Sequence, residues 1–134
     1  MAYPNTTILE SRFGSFVCDT AGALTIYQRV KFSTANVDNS GKPTIVAAGA
    51  TDRAIGVCMQ GIAVGLAGTI SMLNGPGEQF GIASGPITAG ALVYAAASGQ
   101  VTASSGGGAY LAGIATTNGY DQNPFTYMPL TAIA

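Results

Sequence analysis

The chain is predicted to be all-β, a small sandwich or barrel built from two pseudo-repeated units with an extended N-terminal arm. Three observations lead there. Short alternating apolar segments are punctuated by Gly-rich turns, no stretch carries a sustained helical period, and a set of motifs recurs in order along the 134 residues.

Taken in order, the first 19 residues form an arm or a first strand. Tyr3, Pro4, Ile8, Leu9, Phe13 and Phe16 give this segment its large apolar groups, and only Glu10 and Arg12 carry side-chain charge before Asp19. Residues 20–134 form a single β domain. Candidate strands within it are RVKFS (29–33), PTIVAAG (43–49), AIGVCMQ (54–60) and GTISMLN (68–74), followed by ALVYAA (91–96), QVTAS (100–104), YLAGIA (110–115) and FTYMPL (125–130). NSG at 39–41, NGPG at 74–77, SG at 98–99, GGG at 106–108 and NG at 118–119 supply the backbone freedom that tight reversals need. AGALVYAAAS (89–98) is the best helix candidate because of its alanines, but Val93 beside Tyr94 and the SG turn favour a strand.

The pentapeptide TAGAL occurs at 20–24 and again at 88–92. Downstream, Ser40-Gly41-Lys42 matches Ser98-Gly99-Gln100, Ile55-Gly56-Val57 matches Ala112-Gly113-Ile114, and Ile70-Ser71-Met72 matches Thr126-Tyr127-Met128, at offsets of 58, 57 and 56. Ordered anchors with slowly drifting spacing indicate a duplicated β unit, with pseudo-repeats over about 20–73 and 88–130. TAGAL itself is offset by 68, so the first copy is expected to carry about ten extra residues in a loop around Thr34–Asn39. Two copies imply pseudo-symmetric halves of one domain, since a solenoid needs at least three.

Composition narrows the function. Charged residues make up 8% of the chain, the net charge is −1, and His and Trp are absent. No basic footprint for nucleic acid or anionic lipid exists, and no apolar run is long enough to span a bilayer. The N-terminus does not read as a secretory signal, so synthesis is expected in the cytoplasm. Without His, neither a Ser-His nor a Cys-His nucleophile pair can form, and two cysteines cannot make a Cys₄ zinc site. Cys18 and Cys58 lie among apolar residues and are expected to be buried, reduced and inert. SGKPT at 40–44 lacks the glycine and helix start of a phosphate loop, and GPGEQFG at 75–81 has the wrong spacing for a dinucleotide site, so both are expected to be turns. The carboxylates are scattered, and no calcium loop is present. No catalytic, cofactor or metal residue is therefore expected. With 48% hydrophobic residues and so little charge, burial in an assembly is favoured.

Residues 81–115, GIASGPITAGALVYAAASGQVTASSGGGAYLAGIA, step from Ile-Thr-Ala-Gly into a Val-Tyr strand, turn at Ser-Gly, and continue through a Val-Thr strand to an Ala-Gly-Ile strand. This pattern resembles the capsid cement, or head decoration, proteins of tailed bacteriophages; IGV at 55–57 and GTISML at 68–73 fit it more weakly. The resemblance implies a non-enzymatic virion protein on the capsid exterior, made in the host cytoplasm. Its implied partners are the major capsid protein and itself, commonly as a homotrimer, with no nucleic acid or membrane. Tyr3, Pro4, Ile8, Leu9, Phe13 and Phe16 are the expected capsid or subunit contacts. The competing readings are a phage fibre or tail β domain and a carbohydrate-binding β-sandwich. For the last, Tyr94, Tyr110, Tyr120, Phe125 and Tyr127 are the aromatic supply.

Overall fold

The computed structural model describes residues 13–73 and 77–130. They form two five-stranded antiparallel sheets in a sandwich-like arrangement. The first contains β1 (Phe13–Val17), β2 (Arg29–Val37), β3 (Pro43–Ala47), β4 (Gly56–Cys58) and β5 (Ala67–Met72). The second contains β6 (Gln79–Ile82), β7 (Leu92–Ala95), β8 (Val101–Thr102), β9 (Leu111–Ala115) and β10 (Pro124–Pro129). The only helical element among the described residues is one 3₁₀ turn, Ala97–Gly99.

The strand orders are β1-β5-β4-β2-β3 and β6-β10-β9-β7-β8, which is one topology used twice. Each sheet curls until its first and third strands meet: Cys18 bridges Ile45 in the first, and Ala83 bridges Val101 in the second, both parallel. A matching antiparallel bridge joins Leu24 to Ile62 and Ile87 to Gly119. Each curled sheet closes on its own core. Phe16, Cys18, Leu24, Val30, Ile45, Cys58, Ile62 and Ile70 fill the first. Ala83, Ile87, Val93, Val101, Ala112, Ala115, Phe125 and Tyr127 fill the second.

These pairings correct the sequence-based register. Leu24 takes the place of Ile87, an offset of 63, so the two TAGAL segments are not equivalent and their identity is a product of composition. Tyr27 and Gly90 are the equivalent turn residues, both at positive φ (66° and 88°), and their N–H groups donate to the equivalent carbonyls of Cys58 and Ala115. Gly56 pairs with Met72 as Gly113 pairs with Pro129, so Met72 matches Pro129 and not Met128. The first unit begins at β1 and the second at β6, ahead of residues 20 and 88. The extra length lies in the β2–β3 hairpin: the offset falls from 63 at Val30/Val93 to 56 at Ile45/Val101, an insertion of seven residues where about ten were expected. GPGEQFG is not simply a turn, because Gln79–Gly81 belong to β6. Strand β6 escapes the alternation pattern because its inward positions are Gln79 and Gly81, neither of which signals a core.

The two cores solve one packing problem with sizes exchanged. Phe16 lies opposite Gly68, whereas its counterpart Gly81 lies opposite Phe125. Ile62 occupies the space beside Gly68, while Gly119, at Ile62's position in the second unit, lets Ile87 and Ala83 pack close, a Cβ there standing 3.1 Å from Ile87. The layer at the facing glycine is filled by Ile62 in the first unit and by the Phe125 and Tyr127 rings in the second.

Gly56 and Gly113 are glycine in both units for the same reason. A Cβ on Gly56 would stand 2.6 Å from the Ser71 carbonyl oxygen, and one on Gly113 would collide with the equivalent carbonyl of Met128. Gly113→Ala is therefore expected to destabilise the fold by roughly 1–3 kcal/mol or more. Gly22→Ala, where a Cβ meets nothing within 4 Å, should stay within about 0.5 kcal/mol. Urea unfolding of the two variants checks the contrast.

Both cysteines are free and buried, 1% and 0% exposed. Burial, reinforced by the nearby Cys18, pushes the Cys58 thiol from 9.0 up to about 12. Between those values the unfolded chain releases a proton that the native chain retains. The thiol's contribution to stability is thus intact below pH 9.0 and is lost as pH rises toward about 12. We expect a Cys58→Ala variant to show a shallower alkaline loss of stability than the native protein, measured by thermal melts at increasing pH. Neither native thiol should react readily with a thiol reagent at pH 8.

Candidate interaction surface

Because the two sheets share a register, their outer faces can be compared position by position. On the first sheet, Arg29 pairs with Val57, Val57 with Ser71, and Ser71 with Phe13. Arg29, Val57 and Ser71 are 5%, 0% and 2% exposed, so this row is covered. Its cover is the second unit. The Gln79 side chain donates to Ser71 Oγ at 2.9 Å and to the Met72 carbonyl at 3.2 Å, and Phe80 stacks on Tyr27 with centroids 4.6 Å apart. The 3₁₀ turn supplies the rest: Gln28 Nε2 donates to the Ser98 carbonyl, the Gly99 N–H donates to the Ala48 carbonyl, and a Cβ on Gly99 would approach the Arg29 carbonyl to 2.6 Å.

The corresponding row on the second sheet is Leu92, Ile114 and Met128, joined by the same pairings across β7, β9 and β10. Leu92 and Met128 are 47% and 45% exposed, and Ile114 is half-buried. Where the first unit has Arg and Ser under a lid, the second presents a leucine and a methionine to solvent. This apolar row is the candidate interaction surface, and it was not among the residues singled out from sequence. Alternation alone could not find it, since outward leucine and inward leucine look alike until the register is known.

Tyr3, Pro4, Ile8 and Leu9 lie outside the described residues. Phe13 and Phe16 are described, and the fold separates them. Phe13 projects outward and is 55% exposed, while Phe16 points into the first core at 9% and meets Phe32 edge-on at 5.3 Å. Phe16 is therefore a core residue and not a surface contact. Lys42, from the enlarged hairpin, fastens β1 by donating to the Ser15 carbonyl at 2.6 Å while its Nζ sits 4.3 Å above the Phe16 ring. The hairpin itself is held by Asp38, whose Oδ1 accepts from Ser40 N, Ser40 Oγ and Lys42 N; the Ser40 hydroxyl in particular lowers the Asp38 carboxyl below its usual range.

The other aspartates also serve local structure. Asp19 accepts from Asn36, Asp52 from the Gly49 N–H and Lys31, and Asp121 from the Gly85 N–H. Among the described residues, no three of His, Cys, Asp and Glu gather as a metal site. The aromatic residues that a sugar platform would need are dispersed: Phe125 and Tyr127 are core, Tyr94 and Tyr110 are half-buried, and Tyr120 is exposed by itself.

No family model and no curated protein matches this chain. Among solved structures, it is similar to the N base of the head fiber gp8.5 of bacteriophage phi29. The match has a TM-score of 0.71 at 15% sequence identity and covers 88% of this chain and 94% of that one. At that identity, what this chain shares with the phage head-fiber base is its fold.

Proposed function

We propose that the protein is a structural component of a bacteriophage virion that seats on the outer surface of the head by binding the major capsid protein. The observation that carries this reading is the agreement in fold, over nearly all of both chains, with the N base of a phage head fiber. The apolar row on the second sheet supports it independently, because a surface that works through buried area needs shape and apolar groups and no catalytic residue. In this role the protein assembles as a homotrimer, strengthens the shell and has no enzymatic activity, cofactor, nucleic-acid contact or membrane contact. A base or domain of a head fiber or tail component is the second reading, favoured by the same likeness. It differs in carrying a distal segment outward in place of reinforcing the shell.

Attachment in this proposal uses the N-terminal segment together with the exposed row. Strand β1 belongs to the first sheet and carries the core residue Phe16, so removing residues 2–16 would unfold the unit. Deletion of residues 2–12 is the informative change. Full-length protein should bind undecorated heads and persist through moderate salt, since the contacts are mainly apolar, while the deleted protein should remain folded and bind weakly. Equal binding by the deleted protein, or release of the full-length protein by moderate salt, would refute this mode of attachment. Absence of the protein from purified particles would refute the virion assignment itself.

The exposed row makes a separate prediction. The double substitution Leu92→Glu and Met128→Glu places charge on a solvent-facing surface and should change stability by less than about 1 kcal/mol. It should nevertheless abolish trimer formation or head binding, read by native mass spectrometry and by co-sedimentation. Unchanged behaviour in both assays would remove this row from the interface.

A further inference from the structure

A cavity of about 340 Å³ opens between the two units, near the low end of the roughly 300–1,000 Å³ typical of ligand pockets. Its walls are built from equivalent positions of the repeat. Arg53 faces the place of Tyr110, Ile55 that of Ala112, and Leu73 that of Leu130, each pair offset by 57 as in the register of Gly56 and Gly113. Arg29 has no such counterpart in the lining, because Leu92, at its position in the second unit, faces solvent.

Arg29 is 5% exposed and lines this cavity. Among the described residues, its Nε is buried without a hydrogen-bond partner. The Tyr127 hydroxyl lies beside the guanidinium, also buried, without completing a hydrogen bond of good geometry. Asp52 borders the same cavity, but its carboxylate is already engaged by Lys31 at 2.9 Å and by the Gly49 N–H at 2.8 Å. Arg53 adds a second guanidinium, 4.8 Å from the Tyr110 ring centroid. A chain of net charge −1 thus brings one buried and one exposed guanidinium to an apolar cleft.

Burying a guanidinium without an anion is unfavourable, and a planar carboxylate satisfies its fork with two parallel hydrogen bonds. Arg53 is exposed and kept in water, so a doubly charged phosphate would leave excess charge beside the single buried guanidinium among apolar walls. We infer that the cleft at Arg29 is a binding site for a single carboxylate carried on a short apolar body. The carboxylate completes Arg29, and Ile55, Leu73 and Leu130 receive the aliphatic part. The inference stands apart from the proposal about the virion.

The test uses full-length protein at pH 7 and follows the Arg29 side-chain Nε–H resonance by NMR during titration with hexanoate, hexanol or inorganic phosphate. Hexanoate should shift the resonance saturably and bind about tenfold or more tightly than hexanol, consistent with a charge-assisted hydrogen bond in a desolvated site. Phosphate should shift it little. Arg29→Met should bring hexanoate and hexanol within about twofold of each other, and Arg29→Lys, which keeps the charge and loses the fork, should fall between. Both variants are first checked by thermal melting, and the native titration needs neither. A terminally blocked Leu-Glu-Leu peptide separates the sources: tighter binding than hexanoate indicates a partner protein's acidic residue, and weaker binding indicates a free acid. No saturable shift with hexanoate, equal affinity for hexanol or phosphate, or an undiminished preference in Arg29→Met would each overturn the assignment.

Discussion

The fold depends on a close approach of two backbones that occurs once in each unit. At Gly56 and Gly113 the neighbouring strand's carbonyl stands where a side chain would begin, so β4 against β5 and β9 against β10 can draw together in the middle of each sheet. The curl that follows brings the first strand to the third, through Cys18 and Ile45 in one unit and Ala83 and Val101 in the other. A five-stranded sheet that curls this far encloses its own apolar side. Two small cores result, each with an outer face left over.

Those outer faces explain how two copies of one unit become unlike. The first unit's Arg29, Val57 and Ser71 are sealed by Gln79, Phe80 and the 3₁₀ turn of the second, while among the described residues the equivalent Leu92 and Met128 are exposed and Ile114 is half-buried. Among the described residues, the outer face of the second unit is the exposed one, and it is apolar. A heterologous contact of this kind can continue with a further copy and close into a ring, or end on a different protein. The cavity at Arg29 has the same origin, since it forms where equivalent strand ends of unlike units meet and cannot match fully.

The core exchange of Phe16, Ile62 and Gly68 for Gly81, Gly119 and Phe125 shows that the total filling of a layer is held more closely than the identity of any position. It also explains why the units look dissimilar in sequence while sharing a strand order. Similarity survives where backbone geometry forbids a side chain, as at Gly56 and Gly113, and fades where only volume matters.

The sequence by itself determined the class: short segments rich in Val, Ile and Thr between glycine turns leave no helical face, and eight of the ten strands were legible as short apolar runs bounded by turn residues. It also showed the duplication through the Gly56 and Gly113 motifs, whose glycine is demanded locally. Only the tertiary structure decided the register, because TAGAL is a stronger match to the eye than Leu24 is to Ile87, and pairing depends on hydrogen bonds to strands far along the chain. Strand β6 was hidden for the same reason: Gln79 is buried by a bond to Ser71 of the other unit, a partner no local pattern records. Phe13 and Phe16 looked alike as apolar residues three apart, and the pleat sends one to solvent and the other to the core. Which outer face is covered, and hence why Arg29 is buried while Leu92 is exposed, arises from the packing of one unit on the other. That packing joins surfaces brought together only after both sheets have formed.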